Sequence, residues 1–258
     1  MAWRRARILT PLALTLLLVL TGFGMVNRSV AGTIDLIDLT PTVGSNSSES
    51  VNLAELVAGD VPGFIVGDKI FTGFSYSKVG LDMPSAENVE VLGFRDPDGN
   101  WGLTLHGTFS DFPGNGPSDA LIRFMVEVTP EAFARGLRIS DAHLFLSGVG
   151  VQEDSFFSVD ETFFESNESL NVFRSTINGD TSQLSDWAFF DPTLRKLTVT
   201  KDVFARAADN ATGPARATAI DQSFSQEIIP EPATALQSLI GVVALAGWLR
   251  RRDAMSRR

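Results

Sequence analysis

Asp96, Asp98 and Asn100 put oxygen donors on alternate positions across one turn, with Gly99 allowing tight curvature, an arrangement suited to a divalent cation such as calcium. An EF-hand loop would continue to a bidentate glutamate, but the residue in that place, counted from Asp96, is Gly107. Asp-Pro-Asp-Gly therefore reads first as turn chemistry. Glu153-Asp154 with Asp160-Glu161 is a second acidic group, which reads equally well as solvated loop. Trp187, Phe189 and Phe190, bracketed by Ser185-Asp186 and Asp191-Pro192, read as an aromatic platform on a loop, where a sugar ring could stack; buried core is the competing reading. Hydrolase chemistry needs a base held beside a nucleophile. His106 and His143 are the only histidines, neither sits in a Gly-x-Ser-x-Gly frame, and both read as ordinary strand residues. No catalytic residue, cofactor or metal-ligand set is assigned on these grounds.

The elements that position the chain are written at its two ends. Pro230-Glu231-Pro232-Ala233 precedes an apolar run that stops at Leu249, followed by Arg250, Arg251 and Arg252 and, further on, Arg257 and Arg258. As a helix, the 17 residues from Ala233 to Leu249 would span roughly 25 Å, at the short end for a bilayer core of about 30 Å. The arginines would remain on the cytoplasmic side. Each proline fixes its own φ, and Pro232 pushes Glu231 out of the α region, so the tripeptide is held extended with its carboxylate presented just outside the membrane. The apolar run alone is equally that of an ordinary single-span anchor. At the other end, Arg4, Arg5 and Arg7 precede the apolar core Leu12–Leu20, and Ser29-Val30-Ala31 offers small residues for cleavage between Ala31 and Gly32. That is the order of a secretory signal peptide.

Rigid handle, marginal greasy segment and arginine cluster together resemble the PEP-CTERM sorting signal of exported bacterial proteins, the substrates of exosortase. The resemblance implies recognition at Pro230, Glu231, Pro232 and Ala233 by an exosortase-type membrane enzyme and cleavage close to that motif. The expected organisation is a signal peptide over residues 1–31, a body over 32–229 and a sorting signal over 230–258. The expected route runs through a secretion translocon to an inner-membrane-anchored precursor, and then to the envelope, outer surface or extracellular matrix.

The body is strongly acidic. The two ends hold nine of the 21 cations and two of the 31 anions, which leaves 12 against 29, or a net −17. Such a surface repels nucleic-acid phosphates and anionic headgroups, and suits neutral polysaccharide, divalent cations or basic partners. With so many acids, some pair falls by chance in the carboxylate window of glycoside hydrolases, about 5 to 10 Å, so that spacing carries no weight. The absence of cysteine excludes disulfides, thiol nucleophiles and thiolate metal sites. Stability must come from a packed core, to which 19 phenylalanines can contribute.

Period-two alternation dominates the body. Trp101–Phe109 points Trp101, Leu103, Leu105 and Phe109 to one side, and Thr104, His106 and Thr108 to the other. Asn88–Arg95 pairs with it through the turn Asp96–Asn100. Further strands are expected at Ile70–Val79, Leu121–Val128, Leu137–Leu146, Ser155–Phe164, Leu170–Arg174, Lys196–Phe204 and Ala217–Phe224, with short helices at Asn52–Ala58 and Pro130–Arg135 and a polar loop at Thr40–Ser50. This pattern predicts an all-β chain, an antiparallel two-layer β-sandwich of jelly-roll type, plus an N-terminal signal helix and a C-terminal transmembrane helix. Gly67–Tyr76, Thr200–Val203 and Ile220–Gln226 resemble the first and last strands of exported domains that precede such a tag, a likeness that implies the sandwich and no activity. The expected function is a non-enzymatic structural or surface role, with a carbohydrate- or calcium-binding adhesin module as the alternative.

Overall fold

The computed structural model describes residues 36–41 and 46–229. The signal and sorting segments, with Ala31, Gly32, Pro230 to Ala233 and Arg250 to Arg252, lie outside them. Among the described residues no helix is long and apolar enough to cross a membrane.

The chain runs β1 (Ile37–Asp38), β2 (Asn46–Asn52), α1 (Leu53–Ala58), β3 (Gly63–Val66), β4 (Lys69–Val79), β5 (Glu90–Arg95), β6 (Trp101–Asp111) and β7 (Ser118–Val128). It continues with α2 (Pro130–Ala134), β8 (Leu137–Ser147), β9 (Phe156–Phe163), β10 (Ser169–Ser175), β11 (Thr181–Gln183), β12 (Ser185–Leu194), β13 (Lys196–Arg206) and β14 (Ala215–Ile228). An eight-stranded sheet has the order β1-β3-β4-β7-β13-β9-β10-β11, and a six-stranded sheet the order β12-β8-β14-β6-β5-β2. The protein is a two-sheet β-sandwich with more strands than the roughly eight of a simple jelly roll. Every pairing between named strands is antiparallel except that of the two-residue β1 with β3.

Local chemistry sets the boundaries. Asn52 caps α1 by accepting from the Ala54 N–H at 2.9 Å, and Gly59 ends the helix in the left-handed region at φ 82°. Thr129 caps α2, which has Pro130 in its first turn. The Asp96–Asn100 hairpin forms as expected, with Arg95 opposite Trp101. The Gly67-Asp68 turn between β3 and β4 needs its glycine twice over. Its φ is 60°, and a Cβ there would stand 2.6 Å from the Trp101 ring.

The alternating residues of both sheets meet in one core. Phe64 stacks on Phe71 and Phe74 at ring distances of 5.1 and 5.7 Å, and Phe71 reaches across to Phe224 of the other sheet at 6.2 Å. Phe163 of β9 meets Phe190 of β12 edge to face at 5.1 Å, closing the far side. Each such ring contributes roughly 1.5–3 kcal/mol through burial.

Two expectations about elements fail. The polar loop assigned to Thr40–Ser50 contains most of β2, an edge strand whose outward positions are serine and glutamate. The segment read as a loop around Trp187 is instead β12, the edge strand of the six-stranded sheet.

Candidate functional site

Because β12 is a strand, its side chains alternate across the sheet. Trp187 and Phe189 point outward and are 60 % and 68 % exposed, whereas Ala188 and Phe190 point inward, Phe190 being 4 % exposed. The three-residue platform is thus corrected to a pair, since Phe190 belongs to the core. Edge position also explains how Pro192 is tolerated. It stands where the register with β8 shifts between Phe189 and Leu194, so its missing N–H costs no ladder bond.

The register extends this pair into a surface. Trp187 lies opposite His143 of β8, which lies opposite Ser223 of β14, then Gly102 of β6 and Phe94 of β5. On one side runs the row Phe189, Asp141, Ser225; on the other, Ser185, Phe145, Asp221, Thr104, Leu92. Gly102 lets β14 approach closely, because a Cβ there would fall 2.6 Å from the Ser223 Cα. Phe145 packs between the His143 ring at 6.2 Å and the edge of Phe94 at 6.4 Å, so an aromatic wall backs the centre of this outer face.

The carboxylates on the face are each held by donors. His143 Nε2 lies 2.9 Å from Asp141 Oδ1, which also accepts the Ser225 N–H at 3.3 Å. The hydrogen bond to Asp141 is the largest influence on His143 and raises its pKa against burial, with the carboxylates of Asp96 and Asp98 adding to the effect. Burial works against ionisation of Asp141, but the bonds from His143 and Ser225 outweigh it and hold the carboxyl below its ordinary value. Asp96 is likewise buried, and its pKa is lowered by the Ser223 hydroxyl at 2.6 Å and by the amides of Asn100. Asp221 accepts from the Thr104 hydroxyl at 2.6 Å and the Ser147 hydroxyl at 3.0 Å.

These bonds decide what the candidate residues do. Asp96 spends its oxygens on its own hairpin and on Ser223, so it closes a turn and does not open toward a cation. Ser223, the hydroxyl next to His143 in register, donates to Asp96 and not to the imidazole. His106 is exposed in the middle of its strand, opposite Glu90. Glu153 accepts from Thr212, and Asp160 from Asn171, while Glu161, which read as cation ligand or solvated loop alike, is wholly buried between the sheets. Among the described residues no three His, Asp or Glu side chains are grouped to hold a metal.

No family model matches the chain, and no curated protein matches it. Among solved structures it is similar to TmCBM61 in complex with β-1,4-galactotriose, at 10 % identity and a TM-score of 0.29, over 60 % of this chain and 88 % of that one. It is similar to the mannan-recognising carbohydrate-binding module TmCBM27 at 10 % identity and a TM-score of 0.25, over 69 % and 97 % of the two chains. A family two carbohydrate esterase from Cellvibrio japonicus aligns at 12 % identity and a TM-score of 0.24, over 62 % and 36 %. Likeness at this level carries no argument about family, ligand or activity. The functional reading rests on the geometry of the face.

Proposed function

We propose that this chain is an exported, non-enzymatic protein of a bacterial envelope or extracellular matrix, and that the outer face of its six-stranded sheet binds neutral polysaccharide. The observation that carries the binding reading is the pair Trp187 and Phe189. Two large aromatic side chains stand free, two residues apart on one edge strand, on the same face as the half-buried Asp221 and Ser225. Sugar rings present apolar C–H faces that stack on aromatics and hydroxyls that donate to carboxylates, and this face offers both. The net −17 of the body favours uncharged chains over polyanions. Calcium is the weaker alternative, because Asp96 is already engaged.

The address is carried by the two end segments. In this reading the signal peptide is removed between Ala31 and Gly32 after passage through the translocon, and an exosortase-type enzyme reads Pro230, Glu231, Pro232 and Ala233 while Arg250, Arg251 and Arg252 hold the precursor in the inner membrane. Two measurements test these halves separately. Affinity electrophoresis of the purified protein in gels containing neutral galactans, mannans or glucans should show retardation that Trp187→Ala abolishes; equal mobility of the wild type with and without each polysaccharide would remove the binding function. Intact-mass analysis of the exported protein should show a chain lacking Leu249; a secreted form that retains Arg250 to Arg252 would rule out the processing.

A further inference from the structure

The core between the sheets holds one group of reactive side chains that glycan binding does not use. Lys201 of β13, Glu161 of β9 and Gln222 of β14 are all fully buried. Lys201 and Glu161 are direct cross-strand partners in the eight-stranded sheet, and Gln222 enters from the six-stranded sheet. Lys201 Nζ contacts both Glu161 Oε2 and Gln222 Oε1. The ring of Phe124 lies 6.0 Å from the same nitrogen. Two atoms of the trio, Glu161 Oε1 and Gln222 Nε2, are buried without a hydrogen-bond partner.

As an ion pair this arrangement is poor. Two charges are removed from water in an apolar layer, and a carboxamide N–H₂ is left with nothing to donate to. Burial pushes the Lys201 amine down and the Glu161 carboxyl up, so the pair is driven toward the neutral amine and the neutral acid. A neutral amine has the lone pair of a nucleophile, and the Gln222 carboxamide that it touches is an acyl group.

We propose that Lys201 and Gln222 form an intramolecular isopeptide bond that ties the two sheets together, with Glu161 carrying the proton. Lys201 Nζ attacks Gln222 Cδ and a C–N bond forms. Glu161 takes a proton from the attacking nitrogen and delivers one to Nε2, the Cδ–Nε2 bond breaks, and ammonia leaves. Glu161 ends as it began, a neutral acid, now beside the new amide. One amine and one primary amide become one secondary amide and one ammonia, with no oxidant or co-reactant. The product removes the buried amine and the unpaired N–H₂ together. Gln222 is the acyl partner rather than Glu161, because an amide between Lys201 and Glu161 would leave no acid or base to move the proton. In a chain without cysteine, this bond would supply the only covalent staple between the layers.

The test is mass spectrometry of the purified, folded full-length gene product. The expected mass is one ammonia below that calculated for its observed termini. Trypsin should release a branched peptide joining Leu197–Arg206 to the peptide that begins at Ala217 and contains Gln222. Amine labelling after denaturation should modify three of the four lysines. Glu161→Gln should restore the full mass and the fourth labelled lysine, with circular dichroism reporting whether the variant folds. Should that variant not fold, the wild-type mass and peptide map decide alone. Full mass with four labelled lysines in the folded wild type overturns the proposal. Loss of one water, with Lys201 joined to Glu161, overturns the assignment to Gln222.

Discussion

The two outward faces of the sandwich use the same residue types to opposite effect. On the six-stranded sheet, Asp96, Asp141 and Asp221 each accept hydrogen bonds from neighbouring side chains, and the aromatics at the edge stand clear of one another's shelter. On the eight-stranded sheet, Phe156 packs against Phe173 at 6.2 Å and Phe204 at 6.1 Å, while Asp202 lies beside the carboxyls of Asp119 and Asp160, the latter accepting from Asn171. Burial raises the pKa of Asp202, and the carboxyls of Asp119 and Asp160 raise it further. A carboxylate fixed by donors and still half-exposed, as Asp221 is, can accept a ligand hydroxyl, whereas Asp202 among other carboxyls is disfavoured in its charged form. The lesson is that acid content alone does not mark a binding face; the donors around each acid do.

Several substitutions sharpen or break this contrast. Phe190→Ala should have the largest effect, a loss of about 3–5 kcal/mol in urea unfolding, while Phe189→Ala on the adjacent outward position should cost less than about 0.5 kcal/mol. Equal losses would mean that β12 does not separate core from face. Next, Trp187→Ala should weaken polysaccharide binding about tenfold or more by titration calorimetry with unchanged Tm, whereas Phe204→Ala on the opposite face should leave affinity intact. Thr104→Val should cost about 1 kcal/mol, because Asp221 loses its closest donor.

The two faces should also separate with pH. His143 titrates above its ordinary 6.5 in the folded protein, so its stabilisation is complete below 6.5 and is lost as pH rises through the raised value. His143→Ala should therefore flatten the fall in Tm across the neutral to mildly alkaline range; an unchanged profile would show that the Asp141 bond is not stabilising. Asp202 behaves in the opposite sense. Its carboxyl titrates above 3.8 when folded, so its ionisation destabilises, and the loss accrues as pH rises past 3.8. Asp202→Asn should raise stability at neutral pH slightly, by less than about 0.5 kcal/mol, and a lower Tm would contradict the crowding described for that face.

Much of the scaffold was legible before any coordinates. The Asp96–Asn100 hairpin, the capped helices after Asn52 and Thr129, and the strands from Trp101, Leu137 and Lys196 follow from turn chemistry and period-two alternation. The candidate face was legible only in part. Trp187 stood out as an aromatic between polar brackets, but Asp191-Pro192 masked the strand, because proline argues against a strand unless that strand is an edge. The alternation Trp187, Ala188, Phe189, Phe190 was the available signal, and it would have removed Phe190 from the platform. Glu161 was misread for a different reason. A carboxylate in an acidic stretch looks solvated until a cross-strand lysine appears 40 residues away in sequence.

By itself the sequence determined the alternating strands, the acidity of the surface and the absence of thiol chemistry, since each is a property of residue type and short spacing. It also wrote the end segments that carry the proposed address. Only the tertiary structure decided which acids are tied to donors, which aromatics stay in water, and that Lys201, Glu161 and Gln222 share one buried point. Those outcomes depend on which strands become neighbours and on which sheets face each other. Such pairings join residues far apart in the chain, and no local pattern encodes them.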